Sequence, residues 1–287
     1  MRFGTHISGA GGIEKIPQKA KDLGCDTFQF FSRSPRGGKS VLADSVAEAF
    51  KTSAKKLGFT HYYIHAPYYI NLASTEARIY NGSVEILRDE LLRAEKLGAR
   101  GIITHIGSAK DMTHTEALER VIAGVGKIVA DVPSTLFLEI SAGAGDIIGA
   151  TLEELAAIHS HVLQNMRMSS MQLRVALDTA HAFASGYDIR TKKGLGAMLD
   201  EYDKFFGLEN LEVIHTNDSK VGLGERKDRH EHIGKGKLGL EAFRVFVNEK
   251  RLAQINAVLE TPKDSDKDDL KNLATLRSLT KVRAKKK

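Results

Sequence analysis

RVALDTAHAF, residues 174–183, changes character at Asp178. Up to Asp178 the residues form a short apolar run; from there a helical pattern begins, with His181 three residues further on. Seven other short apolar runs recur along the chain: RFGTHI at 2–7, TFQFF at 27–31, YYIH at 62–65, GIITH at 101–105, TLFLE at 135–139, LEVIH at 211–215 and AVLE at 257–260. Amphipathic helical patterns such as EALERVIAGVGKIVA, 116–130, lie between them. Eight such units read as alternating β and α, and hence as a parallel sheet. The count favours an α/β fold of the closed (β/α)8 TIM-barrel type, with its active site at the C-terminal rim of the strands. An open doubly wound sheet is the alternative, but HISGAGGIEKI, 6–16, matches its glycine-rich phosphate loop only weakly.

The 287 residues are 42% apolar and 27% charged, which is globular. One domain is expected over 1–280, since no linker rich in Pro, Gly or Ser divides the chain. No apolar run approaches the roughly 18 residues of a membrane span, and MRFGTHISGAGG lacks the regions of a signal peptide. The expected location is the cytoplasm. The net charge of +6 is concentrated: Lys281, Arg283, Lys285, Lys286 and Lys287 leave the rest at +1. Residues 281–287 thus read as a solvated, disordered tail, and an anionic partner would have to be met by local patches. The single cysteine, Cys25, excludes an internal disulfide and a thiolate-built metal site, and is expected to be a buried, inert thiol.

The ends of the strands carry the chemistry. Six consecutive runs stop on His65, His105, Glu139, Asp178, His215 and Glu260, at spacings of 40, 34, 39, 37 and 45 residues. Each interval is about one βα unit, so a barrel would bring all six to one rim. Singly, a histidine there is commonly a hydrogen-bonded boundary residue, and a carboxylate can merely cap the next helix. Six in register would need six separate accidents. Gathered in one cavity without a cation, the carboxylates would repel one another unpaired.

DRHEHIGKG, 228–236, adds Asp228 and His230, two residues apart and so on one side of an extended loop. With His181 they would form one further three-ligand set, the loop acting as a lid that brings ligands for an additional metal. Five imidazoles and four carboxylates suit zinc or manganese, and the imidazoles favour zinc. Such an assembly suits phosphoryl chemistry.

HISGAGG, IHAPYYINLAS, LEISAGAG, ALDTAHAFASGYD, HTNDSK, DRHEHIGKG and VLETPK, running in order from His6 to Lys263, resemble the successive motifs of the endonuclease IV family, the trinuclear-zinc AP endonucleases of DNA repair. The resemblance implies a TIM barrel and three zinc ions. It assigns His65, His105 and Glu139 to one ion, has Glu139 bridge to a second held also by Asp178, His215 and Glu260, and gives His181, Asp228 and His230 to the third. It further implies that a bridging hydroxide attacks the phosphorus 5′ to an abasic deoxyribose, leaving a 3′-hydroxyl and a 5′-deoxyribose phosphate. Glu139, Glu260 and His181 would be the ligands closest to that chemistry, with Glu260 helping to orient the nucleophile. A 3′ phosphodiesterase activity on blocked ends and a monomeric enzyme are also implied. Two positions depart from the family's usual residues: Ala180, often Cys in relatives, and Glu231, often His.

Among expected contacts to double-stranded DNA, Arg36 resembles the family's side chain that enters the DNA stack, and Tyr68 its wedge; Tyr69 and Leu72 read as core or wedge. Arg33 and Lys39 are placed to meet phosphate. Lys220, Arg226, Lys227 and Arg229 make the seventh loop basic. His61, His114, His159 and His161 read as structural or solvated, His6 as closing the first strand near the rim, and His232 as touching solvent or phosphate. The rival reading is a metal-dependent sugar isomerase or epimerase of the same fold, which would have no need of Asp228 or His230.

Overall fold

The structure is a computed structural model describing residues 1–37, 41–130, 132–166 and 172–280. Lys39 and the basic tail at 281–287 therefore lie outside the described residues. The strands among the described residues are β1 (Arg2–Ile7), β2 (Thr27–Phe30), β3 (Tyr62–His65), β4 (Gly101–Thr104), β5 (Thr135–Glu139), β6 (Leu173–Asp178), β7 (Val213–His215), β8 (Asp218–Ser219), β9 (His230–Glu231) and β10 (Asn256–Leu259). The α-helices that accompany them are α1 (Ile16–Asp22), α2 (Asp44–Lys56), α3 (Ala77–Leu97), α4 (His114–Val129), α5 (Leu152–Met166), α6 (Thr179–Ser185), α7 (Lys192–Phe206), α8 (Gly239–Val247) and α9 (Asp266–Leu279).

Eight parallel strands close into a barrel in the order β1, β2, β3, β4, β5, β6, β7, β10 and back to β1. The (β/α)8 architecture expected from the strand count is the one found. β8 and β9 form a separate antiparallel pair above the seventh strand. Three strands end one residue earlier than their apolar runs suggest: Phe31, His105 and Glu260 lie just beyond β2, β4 and β10. His6 does not close the first strand but lies within it, one residue before Ile7.

Parallel strands covered by helices are buried on both faces, which is why these runs are continuously apolar. Alternation nevertheless divides them. Ile64, Ile102, Leu136, Leu138, Val175, Leu177, Ile214, Ala257 and Leu259 point outward into the main core beneath the helices. Tyr63, Ile103, Phe137, Ala176, Val213 and Val258 point inward and form a cluster of their own. Tyr63 and Phe137 meet edge-on there, with ring centroids 5.8 Å apart. Below this layer the Tyr63 hydroxyl donates to Glu212 at 2.9 Å, and Arg174 and Arg100 pair with the same carboxylate. Gly101 is required by closeness alone: a Cβ would sit 2.1 Å from the Thr135 carbonyl oxygen.

The inward layer is the platform on which the rim rests. Phe137→Ala should therefore cost about 3–5 kcal/mol by transfer and cavity terms, whereas Leu92→Ala, at a 53% exposed position, should stay within about 0.5 kcal/mol of the parent; denaturant midpoints at constant m-value check both.

Candidate metal centre

Two residues beyond each inward-facing side chain stands the next inward-facing one, because side chains alternate along a strand. Counting on from the barrel cluster gives His65, His105, Glu139, Asp178, His215 and Glu260, one from each of six strands. β1 and β2 contribute His6 and Gln29 at the same level, paired in register. The strand periodicity thus lifts the layer out of the apolar interior into a polar ring around a cavity of about 440 Å³. Glu139, Asp178 and His215 are fully buried.

Within the ring, Glu139 is central. Its Oε2 lies 3.3 Å from His65 Nε2 and 3.6 Å from His105 Nε2, while its Oε1 lies 2.8 Å from His215 Nδ1 and 3.3 Å from His181 Nδ1. Glu260 Oε2 is 3.3 Å from His215 Nδ1. His65, His105 and Glu139 are brought together as one group, and Glu139, Asp178, His215 and Glu260 as another. Asp178 serves two ends at once. Its Oδ1 accepts from the Ala180 and His181 backbone N–H groups, capping α6, and its Oδ2 turns to the histidines, 3.6 Å from His230 Nε2.

The loop ahead of β9 supplies the rest. Asp228 Oδ1 stands 3.2 Å from His181 Nε2 and 3.4 Å from His230 Nε2, and the two imidazole nitrogens are 3.2 Å apart. The third expected set is thus assembled, with His105 and Asp178 also bordering it. The loop is pinned by Asp218, a buried carboxylate that accepts from the backbone N–H groups of Ser219, Gly234, Gly236, Leu238 and Gly239 at 2.8–3.3 Å. Gly236 passes so close that a Cβ would lie 2.5 Å from Asp218 Oδ1.

Hydrogen bonds decide which nitrogens are free for a metal. His65 Nδ1 lies 2.7 Å from the Ala66 carbonyl, His181 Nδ1 3.0 Å from that of Ile140 and His230 Nδ1 3.1 Å from that of Glu260. A carbonyl only accepts, so each Nδ1 carries the proton and each Nε2 offers its lone pair. The Nε2 atoms of His181 and His230 consequently face each other, with Asp228 closing the set and no hydrogen between neutral rings. Converging acceptors of this kind fit a divalent cation, and the nitrogen and oxygen donors without sulfur suit zinc or manganese.

Without a cation, protons take its place. Burial works against the His215 imidazolium, but Glu260, Glu139 and Asp178 outweigh it and raise the group to about 9. His181 is likewise held well above its ordinary value by Asp178, Asp228 and Glu139 despite burial. Burial would raise the Glu260 carboxyl, yet His215 and His65 bring it down to about 2.

The expected DNA contacts are placed unequally. Arg36, Lys220, Arg226, Lys227 and Arg229 are exposed on loops at this end of the barrel, and Arg229 lines the metal cavity. Among the described residues Arg226 alone of the non-glycines has positive φ, at 53°. Its backbone N–H donates to the Ala184 carbonyl of α6. Tyr68 is 70% exposed at the cavity mouth, packed edge-on against Phe31. Tyr69 is exposed as well, whereas Leu72 is fully buried and belongs to the core. Arg33 is not free for phosphate, since its guanidinium pairs with Asp89 and the buried Glu90. His232 is half-buried, as a residue touching solvent can be, and its Nδ1 is held by Asn272. His159 is buried against Phe206, and His61, His114 and His161 lie away from the centre with local partners. Cys25 is a buried thiol pushed up to about 12 by burial, as an inert cysteine should be.

Three polar residues of the site escaped the reading of strand ends. Gln29 touches His6, His215 and Glu260; Asn217 donates to Asp178 Oδ2 at 2.7 Å and accepts from the Glu260 backbone; Asp218 holds the loop. The signal for Gln29 was a lone amide inside the otherwise apolar TFQFF.

A family model described as a xylose isomerase-like TIM barrel matches residues 17–281, which places the chain in that broad class of barrels. A protein named "Probable endonuclease 4" from Methanoculleus marisnigri is 38% identical over 280 residues, covering 96% of this chain and 98% of the relative. The crystal structure of endonuclease IV from Thermus thermophilus superposes with a TM-score of 0.85 at 36% identity, covering 97% of this chain and 98% of that one. The chain belongs to the endonuclease IV family. A D-tagatose 3-epimerase-like protein, 18% identical with a TM-score of 0.71 over 97% of both chains, shares the fold alone. No helix among the described residues is long and apolar enough to cross a membrane.

The titrations set a pH window for the chelated protein. Glu260, lowered from 4.5 to about 2, contributes stability that is present above about 4.5 and lost as pH falls through about 2. His215, raised from 6.5 to about 9, contributes stability that is present below about 6.5 and lost as pH rises through about 9. The Tm of metal-stripped protein should accordingly be highest between those limits, and zinc uptake at pH 8 should release protons from His215 and His181, readable in weakly buffered solution with an indicator dye.

Proposed function

We propose that this protein is a zinc-dependent AP endonuclease that hydrolyses the phosphodiester 5′ to abasic sites in double-stranded DNA, leaving a 3′-hydroxyl and a 5′-deoxyribose phosphate. It would also trim blocked 3′ ends as a 3′ phosphodiesterase, acting as a cytoplasmic monomer. The observation that carries this reading is the third acceptor set: Asp228 on a loop and His230 at the start of β9 reach into the cavity beside His181. A sugar epimerase of the same fold would have no use for them.

Three zinc ions, or manganese in some positions, would supply a nucleophilic hydroxide near neutral pH and neutralise charge building on the phosphate. The chain's own part is placement. His65 and His105 would hold the first ion with Glu139, whose two oxygens face opposite sides and so suit a bridge to the second. Asp178, His215 and Glu260 would complete that second set. Glu260 is restrained by Gln29 at one oxygen and faces His215 with the other, which suits it to orient the nucleophile. His181, Asp228 and His230 would hold the third ion, whose charge would stabilise the leaving oxygen.

Lys220, Arg226 and Arg229 would supply positive charge to meet a phosphate backbone, on a body whose net charge without its last seven residues is only +1. Tyr68, exposed over the cavity, and Arg36, on the neighbouring loop, are suited to enter a duplex where a base is missing, since unstacking costs least there.

The deciding experiment is incision of an end-labelled duplex bearing one tetrahydrofuran abasic analogue. A single cut 5′ to the lesion with a 3′-hydroxyl, abolished by prolonged chelation and restored by zinc, is expected. His230→Ala should lower cleavage about 100-fold or more, while an epimerase activity would be indifferent to it. Binding without cleavage by the zinc-replete protein would sink the proposal. Arg226→Ala should weaken binding to all duplexes alike and reduce the slope of log K against log salt by about 1, as titrations by fluorescence anisotropy at several salt concentrations would read.

A further inference from the structure

The histidines around the centre differ in what holds them. Those with a protonated Nδ1, His65, His181 and His230, lean on backbone carbonyls. His215 presents the opposite nitrogen to the centre: Nδ1 faces Glu139 and Glu260, and Nε2 lies 2.8 Å from Gln29 Oε1. Its partner is a side chain from another strand, 186 residues away in sequence.

The orientation of the Gln29 amide follows from its neighbours. One face of the amide meets Glu260 Oε1 at 2.6 Å. A carboxylate oxygen accepts, so that face must be the NH2 group; reversing the amide would set oxygen against oxygen. Nε2 therefore points to Glu260, and its second hydrogen points to His6 Nδ1 at 3.1 Å. The amide oxygen is left for His215 Nε2, which must then donate. Because each imidazole has one proton when neutral, two consequences follow together: His215 offers its lone pair at Nδ1, and His6, accepting at Nδ1, carries its own proton at Nε2. That Nε2 is buried, borders the cavity and has no hydrogen-bond partner among the described residues.

We infer that Gln29 is a positioning residue that sets the tautomers of two histidines with one amide, selecting Nδ1 as the metal-binding nitrogen of His215 and turning the His6 Nε2–H into the cavity as a donor. Gln29 touches no substrate in this role; it acts through His215 and His6. The inference rests on the metal-centre reading, and its test separates the two. Loss of such a partner typically lowers metal affinity about 10- to 100-fold.

The experiment uses full-length zinc-loaded protein labelled with 15N at histidine. Long-range proton–nitrogen correlations, assigned through contacts to the Gln29 amide protons, should show His215 and His6 both protonated at Nε2, against Nδ1 for His65, His181 and His230. Gln29→Met keeps the volume and removes the amide; in equilibrium competition with a chelator it should then hold zinc about 10- to 100-fold more weakly than the parent, with circular dichroism unchanged. A His215 protonated at Nδ1, or a Gln29→Met variant that retains zinc like the parent, would overturn the inference. If Gln29→Met does not fold, the spectrum of the parent protein decides alone. A parent that takes up no zinc at all would instead overturn the metal reading itself.

Discussion

Everything at this end of the molecule depends on a crowd of lone pairs that cannot coexist without positive charge among them. Glu139 faces nitrogens of His65, His105 and His215 with its two oxygens, and His181 Nε2, His230 Nε2 and Asp228 Oδ1 converge within 3.4 Å of one another. Buried acceptors at such distances repel unless a proton or a metal stands between them. Protons can serve only partly: the carboxylates hold His181 and His215 charged despite burial, whereas burial lowers His105. Divalent cations satisfy all the donors at once, and the backbone carbonyls behind His65, His181 and His230 already turn the correct nitrogens inward.

The barrel holds this crowd in place. Each strand is anchored by outward aliphatic side chains in the main core and by an inward layer from Tyr63 to Val258, so the rim side chains start from rigid bases. Alternation then leaves no choice about where they point. The third set is different, because Asp228 comes from a loop and His230 from the start of β9, both outside the barrel. Asp218 compensates by gathering five backbone N–H groups with one buried carboxylate, and the short β8–β9 pairing ties the loop's two ends together. Burial disfavours that carboxylate and leaves its carboxyl above the ordinary value, with the backbone donors offsetting part of the penalty.

A positively charged rim over a nearly neutral body separates two tasks. Exposed basic side chains such as Lys220 and Arg226 give charge where a polyanion would approach, while Arg33, just as basic, fixes the β2 loop to Glu90 and Asp89. Charge count along a loop cannot separate these fates; only the neighbour across the fold does.

The barrel and most of its centre were legible in the linear chain, for a simple reason. An apolar strand of the right length, repeated at near-constant spacing and ending in His, Asp or Glu, carries both the fold and the rim, because a parallel barrel puts every strand end in one place. Even Asp228 and His230 could be read, through their two-residue spacing and their likeness to a known family. What side chains do to one another emerged only once the chain was folded. Asp178 caps a helix and approaches His230 at once, Leu72 sits in the core rather than at the surface, and His232 is held by Asn272. Gln29 belongs with these, since no ligand pattern marks an amide along the chain and it acquires its role only when His6, His215 and Glu260 are folded around it.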